Sequence, residues 1–348
     1  MKVIHWNVTR ENQSITGVKR YEDELFKNLE KIIKLEANNW KIERVQRSKN
    51  KIVGSTFVSW FLKYRCKDAD IVHGTEETIL PVILFKKPKK FIVTCHDCTI
   101  PLLYPSTISD VTSKIQWTLI PKAIKKADRI IAVSKFTKNE IIRMFGIEEY
   151  KIDVVYEGVN HSQFYPMNKK ECKKKFNLNP NEKYILIVAS NDVHKRMDIV
   201  KEVFRRIREM REDVKLLKAG YAQGLEGEGI INVGWIPDEK MPMLYNAADV
   251  FFHPTEYETF GLPIVEAMAC GTPVVLANVG SNPEIVGSCG KMIDLHSEDY
   301  VERFVESILK SIDKGIDKKA LKRSKKFTWE KTARDTIKVY EKAIEEVE

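Results

Sequence analysis

The sequence predicts an α/β protein that consists of two successive open parallel-sheet domains. In both halves, short runs of β-branched residues alternate with amphipathic stretches, which is the pattern that crossover connections in a parallel sheet produce. The alternation pauses at 165–183, a segment that is rich in Lys, Asn and Pro and has no apolar period. With 348 residues, the chain is long enough for two domains that each bury a core. We therefore predict one domain over residues 1–165 and a second over 166–328.

In the first domain, each predicted strand is a short apolar run. The strands are Lys2–Val8, Ile71–His73, Phe91–Cys95, Ile130–Val133 and Ile152–Val155. Apolar residues recur at helical spacing from Val18 to Leu35, so this segment should lay one face on the sheet. Two further helices, at about Lys114–Lys126 and Lys135–Phe145, separate the last three strands.

The second domain repeats this alternation. Its predicted strands are Tyr184–Ala189, Val214–Ala219, Ile230–Val233, Val250–His253 and Val274–Ala277. A loop that contains Gly261 follows the fourth strand, and Pro263 stands where a first-turn proline begins the helix Ile264–Ala269. Neither domain has a GxGxxG after its first strand or a GxxxxGK[ST], which argues against a dinucleotide enzyme and a P-loop ATPase.

The formal net charge of +9 is carried by the first half of the chain. Residues 1–165 include 28 basic and 19 acidic side chains, whereas residues 166–348 include 30 of each. Two basic clusters, Lys41–Lys67 and Lys86–Lys90, lie in the first half, and the first ends with several aromatic residues. Anionic lipid headgroups would attract such a surface. A solvated helix face whose aromatics are core explains it equally well, and no motif supports nucleic-acid binding.

Cysteine usage and hydropathy indicate a cytoplasmic protein. The six cysteines are sparse and irregularly spaced, which fits reduced thiols better than a disulfide framework. No run of 18 apolar residues occurs, and the first ten residues become polar too soon for a signal peptide. The run Cys95-His96-Asp97-Cys98 has the Cys-x-x-Cys spacing of a zinc site. Because a structural site needs four ligands and no second pair follows, we expect packed or loop thiols and no metal.

The loop and helix after the fourth strand of the second domain hold the candidate site. In open α/β sheets, loops at the carboxyl ends of strands form the ligand crevice, and amides at a helix start attract phosphate. The backbone of Phe260, Gly261 and Leu262 is therefore a predicted anion cradle. Glu258 precedes the turn and Glu266 lies one helical turn beyond it, so both carboxylates can flank a ligand and accept from sugar hydroxyls. Taken singly, a glycine such as Gly261 ordinarily marks the junction between a strand and a helix, and glutamates such as Glu258 and Glu266 are ordinarily solvated surface charges.

Taken together, these residues resemble a known family. Two Glu separated by seven residues, in ETFGLPIVE followed by AMACGTPVV, are similar to the signature of the retaining nucleotide-sugar glycosyltransferases of family 4. Other segments fall in the family's order and spacing: TGV at 16–18, HD at 96–97, ADRIIAVSKFTKNEI from Ala127, YEGVN from Tyr156 and VASNDVHKRMD from Val188. The similarity runs from the first strand to the last helix.

The resemblance implies the GT-B fold, in which two Rossmann-like domains face a cleft and the second holds most of the nucleotide sugar. It implies that Glu266 binds the ribose hydroxyls, that Glu258 contacts the transferred sugar, and that the amides of residues 260–262 reach the donor. It assigns Lys195 and Arg196 to the diphosphate leaving group, whose developing charge fixed cations can stabilise without a metal.

For the first domain, the resemblance implies that Gly17 lets the backbone approach the phosphates. It places His96 near the reacting sugar, while Asp97 would orient the loop. In the family the last helix crosses the cleft, so residues 329–348 should pack back on the first domain. Catalytic roles are thus expected for His96, Glu258 and Lys195.

The chain also departs from the family pattern. Thr259 stands where Gly often precedes the Phe-Gly pair, and Ala189-Ser190 replaces a Gly-Arg pair, so one phosphate-binding arginine is missing. His194-Lys195-Arg196 stands where related subgroups have Arg-Lys-Asn, and Tyr156-Glu157-Gly158 replaces the usual Pro-Asn-Gly. The HDCTIPLLYP segment resembles mannosyltransferase-like members, which favours GDP-mannose as the donor.

We therefore expect an enzyme that moves a hexosyl group, preferably mannosyl, from a nucleoside-diphosphate sugar to a hydroxyl of a glycan or lipid-linked acceptor. We expect the reaction to retain the anomeric configuration and to need no metal cofactor. We also expect the enzyme to act in the synthesis of cell-surface polysaccharide or glycolipid, in peripheral contact with the inner face of an anionic membrane. Two alternatives stay open. A nucleotide-sugar epimerase would convert the donor without an acceptor, and a non-catalytic basic module would bind anionic lipid or nucleic acid with salt-sensitive affinity.

Overall fold

A computed structural model describes residues 1–10, 16–36, 39–47, 68–85, 87–97, 103, 111–190, 192–220 and 225–345 of the chain. The chain divides into two compact units. The first consists of Met1–Glu157 together with Trp329–Glu348, and the second of Gly158–Thr328.

The first unit is built on a six-stranded parallel sheet with the spatial order β2-β1-β3-β4-β5-β6. The strands are β1 (Lys2–Arg10), β2 (Lys41–Arg47), β3 (Ile71–Gly74), β4 (Lys90–Cys95), β5 (Arg129–Ala132) and β6 (Ile152–Val154). Among the described residues before 157, the helices are α1 (Gly17–Leu35), α2 (Val111–Ala123) and α3 (Lys135–Phe145). A 3-10 segment, Glu77–Leu84, joins β3 to β4.

Helix α1 shows how the sequence pattern produces the packing. Thr16 begins the helix, because its hydroxyl accepts from the Lys19 amide at 3.2 Å and so satisfies one of the first N–H groups. Four of the apolar residues that α1 buries recur every three or four positions: Tyr21, Leu25, Leu29 and Ile32. This spacing places them on one face of the helix.

The strand β2 was not predicted. Residues 41–47 lay within a segment for which a solvated helix face was one explanation, but in the structure they pair in parallel with β1 at the edge of the sheet. Residues 48–67, with the aromatic residues of that cluster, lie outside the described part of the chain. Ion pairs engage several of the described cations in the two basic clusters: Lys41 with Glu43, Arg44 with Asp23, Lys87 with Asp128 and Lys89 with Asp70.

The second unit repeats the architecture with a six-stranded parallel sheet in the order β12-β11-β10-β7-β8-β9. The strands are β7 (Lys183–Val188), β8 (Val214–Ala219), β9 (Ile230–Gly234), β10 (Val250–His253), β11 (Val274–Ala277) and β12 (Lys291–Ile293). The helices are α4 (Lys169–Lys175), α5 (Met197–Met210), α6 (Met241–Ala247), α7 (Leu262–Ala269), α8 (Asn282–Val286), α9 (Tyr300–Ser311) and α10 (Lys318–Ser324). Every residue of β10 and β11 is buried, as in a parallel sheet covered on both faces.

The last helix, α11 (Trp329–Glu345), belongs to the first unit, where it packs against α1. A buried polar chain holds it there. The Tyr340 hydroxyl lies 2.6 Å from His5 Nε2 and 2.7 Å from His73 Nδ1, and His73 Nε2 lies 2.8 Å from Thr94 Oγ1. Tyr340 therefore ties α11 to side chains of β1 and β3, while Thr94 extends the chain to β4.

We expect Tyr340→Phe to lower the free energy of unfolding by about 1–3 kcal/mol, because it leaves buried imidazole nitrogens without their hydroxyl partner. Urea unfolding followed by tryptophan fluorescence would measure this, since five of the six Trp belong to the first unit. The matched control is Tyr150→Phe, at a residue that is 62% exposed. Equal shifts of the unfolding midpoint in the two variants would contradict the role of the Tyr340 hydroxyl.

Candidate functional site

The loops that follow three neighbouring strands of the second sheet, β7, β10 and β11, lie together at one edge of that sheet. The carbonyl oxygen of His194, after β7, accepts from the Glu256 amide and from Thr255 Oγ1, both at 2.9 Å. The Ser281 amide, after β11, donates to the Glu258 carbonyl oxygen, also at 2.9 Å. The loop after β10 is thus fixed on both sides by its neighbours.

Glu258 lies at the centre of these loops. Its Oε2 accepts from His253 Nε2 at 2.8 Å and from Lys195 Nζ at 3.3 Å. His253 ends β10 and is buried, whereas Lys195 ends a 3-10 turn after β7 and keeps 19% of its side chain exposed. One carboxylate oxygen is therefore shared by a strand-end imidazole and a lysine from the adjacent loop.

These contacts set the protonation of the cluster. Burial alone would raise the pKa of Glu258, but the Lys195 charge and the His253 hydrogen bond outweigh burial and hold that pKa below its ordinary value of 4.5. Burial lowers the pKa of His253, against the opposing effect of Glu258. His253 is therefore neutral near pH 7, and its Nε2 carries the proton that it donates to Glu258. Glu258 is an acceptor that stays ionised.

The predicted anion cradle lies at the start of α7. Gly261 precedes the helix with φ of 82°, in the left-handed region that favours glycine, and no side chain caps the helix. A Cβ at this position would approach Ile264 Cδ1 to 2.7 Å and Glu258 Cγ to 3.2 Å. The first amides of a helix have no acceptor within it, so Gly261 and Leu262 offer donors next to Glu258. The Phe260 ring turns inward and packs edge-on against Phe327 at 5.8 Å.

Glu266 is buried one turn into α7, where its Oε2 accepts from the Tyr245 hydroxyl at 2.8 Å. Tyr245 lies on α6 and is fully buried. Because Tyr245 is buried and its hydroxyl donates to Oε2, it holds the Glu266 carboxyl group in one orientation. Both predicted carboxylates are thus positioned by aromatic residues that sequence reasoning did not connect with them.

Lys195 and Arg196, which the resemblance treats as a pair, have different partners. Lys195 points to Glu258, whereas Arg196 donates to Asp198 at 2.7 Å and to Glu256 at 3.2 Å. Arg196 has φ of 51°, a left-handed conformation that is uncommon outside glycine. The two cations are therefore engaged differently, and only Lys195 contacts a predicted site carboxylate among these hydrogen bonds.

Gly280 fixes the position of Glu258 through the main chain. It has φ of 55°, and a Cβ there would overlap the Glu258 carbonyl oxygen and lie 3.0 Å from the Glu258 amide nitrogen. The close approach of the two backbones therefore needs glycine for two independent reasons. The left-handed turn after β11 was not among the predicted site features, since nothing in local sequence links it to Glu258.

The other two predicted site residues belong to the first unit. Gly17 is exposed and is the first residue of α1. His96 directly follows β4 and is buried; its Nδ1 lies 2.8 Å from Glu157 Oε1 and its Nε2 3.1 Å from the Thr75 carbonyl oxygen. Thr75, His96 and Glu157 follow the carboxyl ends of β3, β4 and β6 within three residues.

No cluster of three or more His, Cys, Asp and Glu residues that could hold a metal ion occurs within the described ranges. Of the Cys-x-x-Cys pair, Cys95 is a buried free thiol, and Cys98 lies outside those ranges. Among the helices that the structure describes, none combines the length and apolar character needed to cross a membrane.

Comparisons with known proteins match both units. The sequence profile for "Glycosyltransferase Family 4" matches residues 38–163, and that for "Glycosyl transferases group 1" matches residues 168–328. The O-antigen chain mannosyltransferase B of Escherichia coli is 30% identical over 273 residues, which cover 72% of this chain and 70% of that protein.

Solved structures agree on the fold. Sucrose-phosphate synthase from Thermosynechococcus elongatus superposes with a TM-score of 0.77 at 17% identity, over 99% of this chain and all of the other. The Anabaena protein HepE in complex with UDP and glucose gives a TM-score of 0.73 at 17% identity, over 98% of this chain and 100% of that chain. The expected GT-B fold is confirmed.

Proposed function

Because this chain belongs to the group 1 glycosyltransferases of family 4, we propose that it is a retaining hexosyltransferase with a nucleoside-diphosphate sugar donor, GDP-mannose being favoured. The observation that carries the proposal is the ionised Glu258, which Lys195 and His253 hold beside the left-handed Gly261 turn. This arrangement offers an acceptor for sugar hydroxyls next to a cation and to helix amides.

The chemistry of donor cleavage fits these groups. When the nucleoside diphosphate departs, negative charge develops on its phosphate oxygens. Lys195 and the uncapped amides at the start of α7 are preorganised to stabilise that charge, and they supply this stabilisation without a metal. Arg196 is held in place by Asp198 and Glu256, so we assign it a supporting role in shaping the turn that presents Lys195.

Glu258 cannot serve as the proton donor of a hydrolase. A general acid needs a raised pKa, whereas Lys195 and His253 keep the pKa of Glu258 low. We assign Glu258 to hydroxyls of the transferred sugar and Glu266 to those of the ribose. In the proposed reaction the acceptor hydroxyl attacks from the face that the leaving group departs from, and a donor phosphate oxygen takes its proton. The configuration at the anomeric carbon is then retained.

The E. coli relative is named as a mannosyltransferase of O-antigen chains, which supports a mannosyl donor and a glycan or lipid-linked acceptor. The excess positive charge of residues 1–165 supports contact with an anionic membrane surface near such an acceptor. The ion pairs of Lys41, Arg44, Lys87 and Lys89 reduce the number of cations available for that contact.

Calorimetry can test the donor site. We expect GDP-mannose to bind more tightly than UDP-glucose or UDP-N-acetylglucosamine, and free GDP to retain part of the affinity. Glu266→Gln should weaken both GDP and GDP-mannose by about 10-fold to 100-fold, because a hydrogen bond to a charged group contributes about 1.5–3 kcal/mol. The matched control is Glu298→Gln, an exposed carboxylate of the same unit.

If none of these nucleotides binds at millimolar concentration, the assignment of a donor site is wrong. If a UDP sugar binds best, the site is retained and the mannosyl preference is wrong. With the preferred donor and an acceptor, NMR of the first product distinguishes retention from inversion at the anomeric carbon. Conversion of the donor without any acceptor would identify an epimerase instead.

A further inference from the structure

The ring of His96 is held between two oxygen atoms, one of a carboxyl group and one of the backbone. Its Nδ1 lies 2.8 Å from Glu157 Oε1, and its Nε2 lies 3.1 Å from the Thr75 carbonyl oxygen. A neutral imidazole has one N–H, so it can satisfy only one of these acceptors, whereas an imidazolium ion satisfies both. His96 and Glu157 are both buried, so an unmet acceptor here is costly.

The backbone that presents His96 is fixed by a second carboxyl group. Glu77, at the start of the 3-10 segment, accepts from the His96 amide at 2.9 Å and from the Asp97 amide at 3.1 Å. The ring of Tyr21, on α1, meets the imidazole edge-on at 4.6 Å. His96 therefore has little freedom to turn either nitrogen toward another partner.

The charged groups around His96 are predominantly acidic. Burial by itself lowers the pKa of His96, but the hydrogen bond and charge of Glu157, then the charges of Glu77 and Asp97, raise the pKa to about 9. Glu76 and His73 face the same region, and burial raises the pKa of Glu76 to about 8 and lowers that of His73 to about 3. The neutral His73 adds no competing positive charge.

The charge of Glu157 matters as well as its position. An asparagine amide at residue 157 could accept one hydrogen bond from the imidazole but would bring no charge to hold a proton on it. A carboxylate supplies both the acceptor and the charge.

We infer that Glu157 is a positioning residue that keeps His96 protonated, so that His96 serves sugar transfer as a fixed cation and not as a proton acceptor. The role in transfer rests on the proposed function; the protonation state does not. A buried cation after β4 lies at the carboxyl edge of the sheet, where open α/β folds bind ligands, and there it stabilises negative charge.

NMR titration of the full-length protein, labelled at histidine 13Cε1 and free of ligands, tests the protonation state. In the wild type we expect one of the seven histidines to titrate near pH 9, and His96→Gln identifies its signal. In Glu157→Gln the pKa of His96 should fall well below 9, because only the charges of Glu77 and Asp97 then oppose the effect of burial. Glu157→Asp, which retains the charge, should bring the pKa of His96 back toward 9.

The matched control is Glu149→Gln, the same chemical change at an exposed carboxylate that pairs with Lys138 just before β6. It should leave the titration of His96 unchanged. A wild-type His96 that titrates below pH 7, or a Glu157→Gln variant whose His96 pKa stays near 9, would overturn the inference. Comparison of the folded-state spectra of Glu157→Gln and Glu157→Asp distinguishes loss of charge from loss of structure.

The pH dependence of sugar transfer tests whether His96 acts as a cation in the reaction. If His96 is a fixed cation, kcat/KM falls as the pH rises through 9. In Glu157→Gln, this fall in kcat/KM moves to lower pH together with the pKa of His96 measured by NMR. With His96 as a base, kcat/KM would instead rise through the same interval, and that outcome overturns the cation role. If no nucleotide sugar is turned over but the titration behaves as expected, the proposed function fails while the protonation inference stands.

Discussion

Glu258→Gln is expected to lower kcat/KM for sugar transfer by about 10²–10³-fold, the usual effect of removing one preorganised electrostatic contact to a reacting group. The replacement keeps the shape of the side chain and removes its charge. His253 and Lys195 then lose the carboxylate that orients both of them, and the sugar loses a charged acceptor. Binding of free GDP should change much less than transfer, because we assign the ribose to Glu266.

The difference in stability between the wild type and Glu258→Gln should depend on pH. Because the folded-state pKa of Glu258 lies below its ordinary value of 4.5, its ionised form stabilises the fold above that pH, and the contribution is lost only as the pH falls further. Thermal unfolding of wild type and variant should therefore differ more at pH 7 than at pH 3. Steady-state assays of sugar transfer, with Glu298→Gln as the control, measure the loss of kcat/KM. If kcat/KM of Glu258→Gln is within about threefold of the wild-type value, the role assigned to Glu258 is excluded.

Gly280→Ala is expected to destabilise the second unit and to lower transfer sharply, although residue 280 carries no chemical group. The added Cβ must displace the backbone of Glu258, since it would overlap the carbonyl oxygen of that residue. The positive φ of 55° adds its own cost of about 1–2 kcal/mol for a non-glycine residue. Movement of the Glu258 backbone also shifts its carboxylate relative to Lys195.

Gly234→Ala is the matched control for this prediction. Gly234 has φ of 67° in the same unit, but nothing lies within 4 Å of an added Cβ. Both variants should lose stability because alanine disfavours the positive φ. The free energy of unfolding of Gly280→Ala should fall by about 1–3 kcal/mol more, because of the overlap with Glu258. Urea unfolding and kcat/KM measured in parallel would show this difference. Equal losses in the two variants would mean that the contact with Glu258 does not matter.

Sequence reasoning recovered the strands that are rich in β-branched residues, including β6 and β9 at the edges of their sheets. Val250–His253 and Val274–Ala277 have the predicted bounds, since continuous burial gives a continuous apolar run. The strand β2 at the sheet edge was missed because charged residues alternate through Lys41–Arg47 and resemble a solvated surface. The strand β12 was missed as well; it spans only three residues and begins with an exposed lysine.

The sequence by itself determined the fold class, the spacing of Glu258 and Glu266, and the glycine turn between them, because these depend on local periodicity and on short-range backbone geometry. Only the tertiary structure decided which groups meet. Lys195 and Glu258 are 63 positions apart, and Tyr245 and Glu266 are 21 apart. Neighbouring Lys195 and Arg196 take different partners. Such contacts depend on which loops the strand order brings to one edge, and a local pattern holds no information about that order.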